Sequence, residues 1–442
     1  MLSIFLINIL KLEIILKIHR AIYYCLISSL FIYGIDYHIA KGLIHLAVIL
    51  SIINIALAIK NKSIDNLSID KPGVLSITIL LLLSSIITAM YYFLYSNPIS
   101  ERLFSNTFFI TLSFSIIIPS IKVKKTDKDI LLYIVIISSI ILAFSGIIDY
   151  ISQSNPGYRT AGFINAPIIY ATCMSLIISW ISVTFFNSLL KRNWILSIVC
   201  FISISMGFAS LFFSGSRGPI LVSSLIFFIL LLHFSAKIYS HNKKGLLGLI
   251  VLTFLILTAI SISKIPLLDS VKNRFESGII NISTGFQGER RKATSAGLRL
   301  DLWEASLITI YDHPLTGIGA GNHAEYFATL DQKKRTNINT STIIKFNHMH
   351  NDIIQAWISM GLIFGTLFLL YILYLTFFFA NNVKHQKSSA IGLFVCIAFI
   401  LCGLTDVPAH SAVSLTLFLL ITSLNISSLN SVKDKNVKNS LL

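Results

Sequence analysis

Apolar runs of about twenty residues, each broken by charge, glycine or proline, recur along this chain and leave it few ways to fold. A helix of that length rises far enough to cross the ~30 Å hydrocarbon core of a bilayer. In lipid each backbone N–H and C=O must be satisfied within its own segment, so such runs are helices. Twelve are read, at 20–36, 39–59, 74–95, 102–121, 129–151, 167–186, 194–213, 218–235, 246–264, 354–379, 389–406 and 411–428. Residues 2–10 are also apolar and either extend the first span or lie flat on the surface; no small-residue cleavage site follows them, so no removed signal peptide is read. The 442 residues are 55% hydrophobic and 12% charged, a balance that a soluble domain would not tolerate. The expectation is an all-α polytopic membrane protein of about twelve transmembrane helices. Residues 1–264 hold nine helices with short loops, 265–353 a loop domain with amphipathic helices, 354–428 three further helices, and 429–442 a tail.

An even number of spans puts both termini on one side, and positive charge marks the cytoplasmic side. With the termini and the connections 60–73, 122–128, 187–193, 236–245 and 380–388 assigned there, that side holds 20 of the 35 Lys and Arg. The short connections opposite hold only Lys41, Arg102, Arg159 and Arg217, and eleven more lie in 264–353. The formal charge of +16 is therefore topological and needs no nucleic-acid partner. All five cysteines fall inside spans, which excludes a disulfide-stapled outer domain and a cysteine zinc site.

The long segment faces away from the cytoplasm, where nucleotide donors are absent, so chemistry there requires a substrate already activated, on a lipid. Within it, Leu298, Leu302, Ala305, Leu307 and Ile308 recur near helical spacing and predict an amphipathic helix over 297–311, ended by Asp312, His313 and Pro314. "GIGAGN", 317–322, reads as a turn; it lacks the dinucleotide spacing and no strand leads into it.

Three groups of polar residues stand at the outer ends of spans, and a fourth candidate, Arg299, stands on the amphipathic helix. In "SGSRGP", 214–219, Ser216 and Arg217 turn the chain between two apolar runs with almost no loop. An arginine at a helix end commonly snorkels to the interface. Arg217, however, sits on the side poor in positive charge, and its flanking glycines would let backbone amides approach an anion. Arg299, on the amphipathic helix, reads equally as a face residue paired with Asp301 or Glu304. Arg159 lies in "NPGYRTAGFINAP", 155–167, a connection shaped by Pro156, Gly157 and Pro167.

The third group is "NHMHNDIIQAW", 347–357, directly before an apolar run. Asn351 or Asp352 suits a helix cap, and Asp352 with Gln355 has capping-box spacing. His348 and His350 are two apart, so they occupy different faces of a helix rather than the i, i+4 pairing of zinc proteases. A metal would need His313, His323 or an acid from elsewhere; no metal and no cofactor is expected. His350 is not required by the cap. The positive end of the helix and nearby arginines disfavour its charged form, and a neutral imidazole is what a general base requires.

These residues resemble the O-antigen ligase and polymerase superfamily of bacterial envelope glycosyltransferases. The likeness rests on the span count, the "SGSRGP" turn, the long loop, "RLDLWEASL" with "HPLTGIGAGN", and "HMHNDIIQAWISMGLIFG". It implies metal-independent transfer of a glycan from undecaprenyl diphosphate at the periplasmic face of the inner membrane. Arg217, Arg299 and Arg159 would bind the donor diphosphate. His350 would be the catalytic base of an inverting displacement, with Ser216, His348, Asn351 and Asp352 in support. The acceptor implied is lipid A–core, as for a ligase; a polymerase would instead extend another lipid-linked repeat unit, and a third branch glycosylates protein. The short tail after 428 argues against that third branch. A transporter or flippase also fits twelve spans, but no repeated halves are seen, and the acids within spans, Asp149 and Asp406, are few and lie near outer ends.

Overall fold

A computed structural model describes residues 2–33, 35–61, 67–68, 72–95, 107–121, 127–153, 158–241, 295–332, 346–383 and 386–439. Among these residues the chain is helical, with no strand. Among the described residues, eight helices are long and apolar enough to cross a membrane. The helices in chain order are α1 (Leu2–Tyr33), α2 (Tyr37–Lys60), α3 (Pro72–Leu94), α4 (Phe109–Ser120), α5 (Asp127–Ile151), α6 (Pro167–Leu190), α7 (Trp194–Ser214), α8 (Arg217–His241), α9 (Ser295–Asp312), α10 (His323–Gln332), α11 (Asp352–Asn382), α12 (Lys387–Gly403) and α13 (Ala412–Asn439). Residues 2–10 prolong the first span as one helix, the first of the two expected alternatives. The expected span 246–264 lies outside the described residues. Of the run 102–121, only α4 is described as α-helix; at twelve residues it is too short to cross the hydrocarbon core alone.

α6 and residues 412–429 of α13 are almost wholly buried and form the centre of the bundle. Their composition explains this, since both carry Ser and Thr where lipid-facing helices carry Ile, Leu and Phe. Small residues let helices approach closely in a medium that gives apolar side chains no reason to cluster. Many of these hydroxyls are satisfied on their own helix or across an interface: Thr172 donates to Ile168 O, Thr422 to Phe418 O, and Ser223 to Ser175. Peripheral α8 shows the opposite pattern, with Leu221, Leu225, Phe228 and Leu232 exposed along one stripe for lipid to cover. The five cysteines are free thiols within helices, as expected.

The run expected as a single span over 354–379 is part of a longer, broken helix. α11 covers 31 residues and contains a non-helical residue, Gly361, at φ 74° and ψ 173°. A Cβ there would stand 2.3 Å from the carbonyl oxygen of Leu315, so the glycine admits the loop backbone against the break. Backbone groups freed at the break pair with that loop: Leu362 N donates to Pro314 O at 2.7 Å, and Ile358 O accepts from Ile318 N at 2.9 Å. The "GIGAGN" turn is thus a docking element of the loop on α11, consistent with its reading as a turn.

The amphipathic helix runs Ser295–Asp312, close to the expected 297–311. Leu302 and Ala305 are buried as expected, while Leu307 lies on the outer face with Tyr311. The inner face meets the stretch before α11. Trp303 Nε1 donates to Met349 O at 2.9 Å, and Ser306 Oγ contacts Met349 Sδ at 3.0 Å. α9, which carries Arg299, is therefore clamped to the segment that carries His348 and His350.

Candidate active site

α11 starts at Asp352 because Asn351 caps it. Asn351 is extended, at φ −160°, and its side-chain oxygen accepts from the amides of Ile353 and Ile354 at 3.0 and 3.1 Å. Those are two of the donors a helix start leaves without partners. Its side-chain nitrogen donates to Leu404 O at 3.2 Å, which fixes the start of α11 to the end of α12. The expected capping box of Asp352 with Gln355 does not form. With Asn351 as the cap, Asp352 is the first helical residue, and its buried carboxylate turns to the 3₁₀ turn Pro408–His410. There it accepts from Ala409 N at 3.1 and 3.2 Å and meets His410 Nδ1 at 3.1 Å. Gln355 Oε1 instead takes the amide of Met349 at 2.9 Å, tightening the turn just before the cap.

His350 precedes the cap in the left-handed region, at φ 51°. A non-glycine residue held there marks a place where the surroundings over-determine the backbone. Its Nδ1 stands 3.4 Å from Asp406 Oδ1, with the two side chains only 14% and 12% exposed. Asp406, noted in the sequence only as one of the few acids near outer span ends, lies 56 residues further on, in the connection that Asp352 pins through Ala409 and His410. His348 packs edge-on against His350, with ring centroids 4.2 Å apart. Burial pushes the His348 imidazole down, to about 4, and the adjacent His350 adds to the push, so His348 is neutral at pH 7. The ring Nε2 of His323 lies 2.6 Å from Phe346 O, in hydrogen-bond contact with it.

Arg299 reaches the same place from the loop. Burial lowers the pKa of its guanidinium, while the charge of Asp406 opposes that shift and the like charge of Arg217 adds to it. Its charged neighbours thus lie across the site. Its Nε is buried and has no hydrogen-bond partner among the described residues. Two guanidiniums within Coulombic reach, one with an unsatisfied buried donor, favour an anion between them.

Arg217 opens α8 after a left-handed Gly215 that ends α7 at φ 60°. A Cβ on the next residue, Gly218, would stand 2.3 Å from Thr405 Oγ1, so the start of α8 presses on the neighbour of Asp406. Arg159 supports this turn. Its Nε donates to Ser214 O at 2.8 Å and its Nη2 to Ser216 Oγ at 3.0 Å. The loop that aims Arg159 is built on Asp149, whose carboxylate accepts from Tyr158 Oη, Thr160 Oγ1, Ala161 N and Gly162 N at 2.8–3.0 Å. Both acids noted only for their scarcity in the spans are therefore organisers of this end of the bundle.

The nitrogen atoms of His348 and His350 and a carboxylate oxygen of Asp406 lie within 4.8 Å of one another. By distance this trio could also hold a divalent cation, the third group being one that spacing along the chain did not suggest. Beside it, a cavity of about 530 Å³ is lined by His348, Gln355, Asp406, His410 and the starts of α6 and α13.

A family model described as O-Antigen ligase matches residues 198–370, from α7 through the loop to the upper part of α11. A curated relative, an uncharacterized protein of Haemophilus influenzae, is 25% identical over 198 residues, 45% of this chain and 47% of the relative. The alignment thus spans about half the length of that relative. The family match contains Ser216, Arg217, Arg299, His348, His350, Asn351 and Asp352, and leaves Arg159 and Asp406 outside it. The resemblance read from the "SGSRGP" turn and the "HMHND" stretch is matched over residues 198–370, and over that segment the chain is similar to the O-antigen ligase family.

Proposed function

We propose that the protein transfers an O-antigen glycan from undecaprenyl diphosphate to the lipid A–core of lipopolysaccharide, at the periplasmic face of the inner membrane. The family supplies the coarse reading, a glycosyltransferase-type membrane enzyme handling lipid-linked glycan. The observation that carries the finer one is the pairing of His350 with Asp406 beside Arg299 and Arg217.

The acceptor hydroxyl attacks the anomeric carbon as the carbon–oxygen bond to the diphosphate breaks, which inverts that centre. The hydroxyl proton passes to Nε2 of His350. Its Nδ1–H faces Asp406, which sets the tautomer and steadies the imidazolium as it forms. The 3.4 Å separation is long for a hydrogen bond and of the kind that closes when a site is loaded. Arg217 and Arg299 take the diphosphate oxygens, and the charge released on departure meets guanidiniums already in place. Arg159 acts through the turn it braces, holding Ser216 and the start of α8.

Disruption of the gene, followed by gel analysis of lipopolysaccharide, tests the reading. Bare cores with full-length chains left on undecaprenyl diphosphate are expected; cores bearing a single repeat unit would assign a polymerase instead. One observation favours a different use of the same residues, the cation-compatible spacing of His348, His350 and Asp406. Chelator treatment of purified protein is expected to leave transfer intact. Inhibition reversed by a divalent ion would reassign the trio.

A further inference from the structure

A second polar cavity, of about 610 Å³, lies at the end of the bundle opposite the site described above. It is lined at the start of α5 by Asp129, at the end of α6 by Lys191, and at the start of α12 by Gln386, Lys387 and Ser388. The start of α6 lines the cavity beside His348 and Asp406 and α12 ends just before Asp406, so this second cavity, at the opposite ends of those helices, is a full span away from the chemistry proposed there. We propose that it binds the phosphodiester headgroup of an anionic membrane lipid.

Charge is the first ground. Lys387 and Lys191 are within Coulombic reach of each other, and their like charges repel. Lys387 also occupies the first turn of α12, where the helix end is itself positive and a cation is disfavoured. Gln386, at the cap position, makes no side-chain bond to the first amides of that helix. Asp129 contributes one negative charge, but it lies in the first turn of α5, where an acid is already matched by the helix end. Among the described lining residues, two ammoniums against one carboxylate leave a single net positive charge, the complement of one phosphodiester.

Shape is the second ground. The cavity wall is amphipathic, with Leu131, Trp180, Leu196 and Ile391 beside the charged groups. A free phosphate ion has no use for such a wall, whereas the glycerol and first methylenes of a lipid do. The backbone that carries Lys191 is also fixed. α6 and α7 are separated by a short reversal in which Arg192 is left-handed at φ 55° and Asn193 caps α7 by accepting from Leu196 N at 3.2 Å.

The full-length protein in neutral detergent, examined by native mass spectrometry, gives the test. Phosphatidylglycerol, phosphatidylcholine and inorganic phosphate are the probes, and Lys191→Gln/Lys387→Gln is compared with Lys191→Arg/Lys387→Arg. Phosphatidylglycerol should be retained by the wild type and by the arginine pair, and bound at least about tenfold more weakly by the glutamine pair. Phosphatidylcholine should not distinguish them. Equal retention of phosphatidylglycerol by all three proteins overturns the proposal. Lysine-dependent binding of inorganic phosphate without phosphatidylglycerol gives the site to a soluble anion and overturns the lipid assignment. Lipid retention is read without glycan transfer, so the outcome is independent of the function proposed above.

Discussion

At the scale of single residues, the proposed site turns on an imidazole whose backbone is left-handed and whose partner is far away in sequence. His350→Ala should lower the rate of transfer roughly 10²–10⁴-fold, the span a positioned base supplies, while donor binding persists. Asp406→Asn should approach the same loss by releasing the tautomer, and unaltered transfer would return Asp406 to a purely structural part. Arg299→Lys should both weaken donor binding and slow turnover, since a point charge cannot replace a bidentate fork. The buried imidazole of His348 carries a stability consequence. Its folded value, about 4, lies below the ~6.5 of an unfolded histidine, so below that pH the unfolded chain binds the extra proton. Stability is then complete above ~6.5 and lost as pH falls towards 4. The drop in melting temperature between pH 7 and pH 5 should be smaller in His348→Asn than in the wild type. Arg217, Arg299 and His350 were legible in the sequence because each sits beside turn glycines, a helix pattern or a cap. Asp406 was not, because a lone acid at the end of an apolar run has no local pattern.

At the scale of elements, the break in α11 is the feature with most consequence. It lets Pro314–Gly319 lie against Ile358–Leu362, and so sets the loop, with Arg299 on it, over the start of α11. Gly361→Ala should be destabilising by more than ~1 kcal/mol, because alanine is strained at positive φ and its Cβ would meet the Leu315 carbonyl. A melting temperature equal to the wild type would show the break to be dispensable. The sequence signals the apolar run of α11 but not its break, since "GLIFG" reads like any glycine-bearing membrane helix. The cap illustrates the same division. Composition placed a cap at Asn351 or Asp352, and the choice between them depended on what else Asp352 could reach, namely Ala409 and His410 on a different element.

At the scale of the whole molecule, two polar ends flank an apolar middle, one built around His350 and the other around Lys387. In a chain otherwise free of cysteine, Tyr311→Cys should react with an impermeant thiol reagent in intact cells, and Lys191→Cys only after permeabilisation. The reverse result would invert the proposed topology. Sequence by itself determined that the chain is a helical membrane protein with a polar loop, and which arginines and histidines stand at its helix ends. Those properties follow from local hydrophobicity, helix periodicity and turn chemistry, which a short window contains. Only the tertiary structure decided that Asp406 faces His350, that Asp149 shapes the loop of Arg159, that α6 and α13 are central, and that Lys191 and Lys387 share a cavity. Each of those pairs residues that are neighbours through packing alone, and helices in lipid choose partners by close fit of small side chains rather than by any pattern within one run.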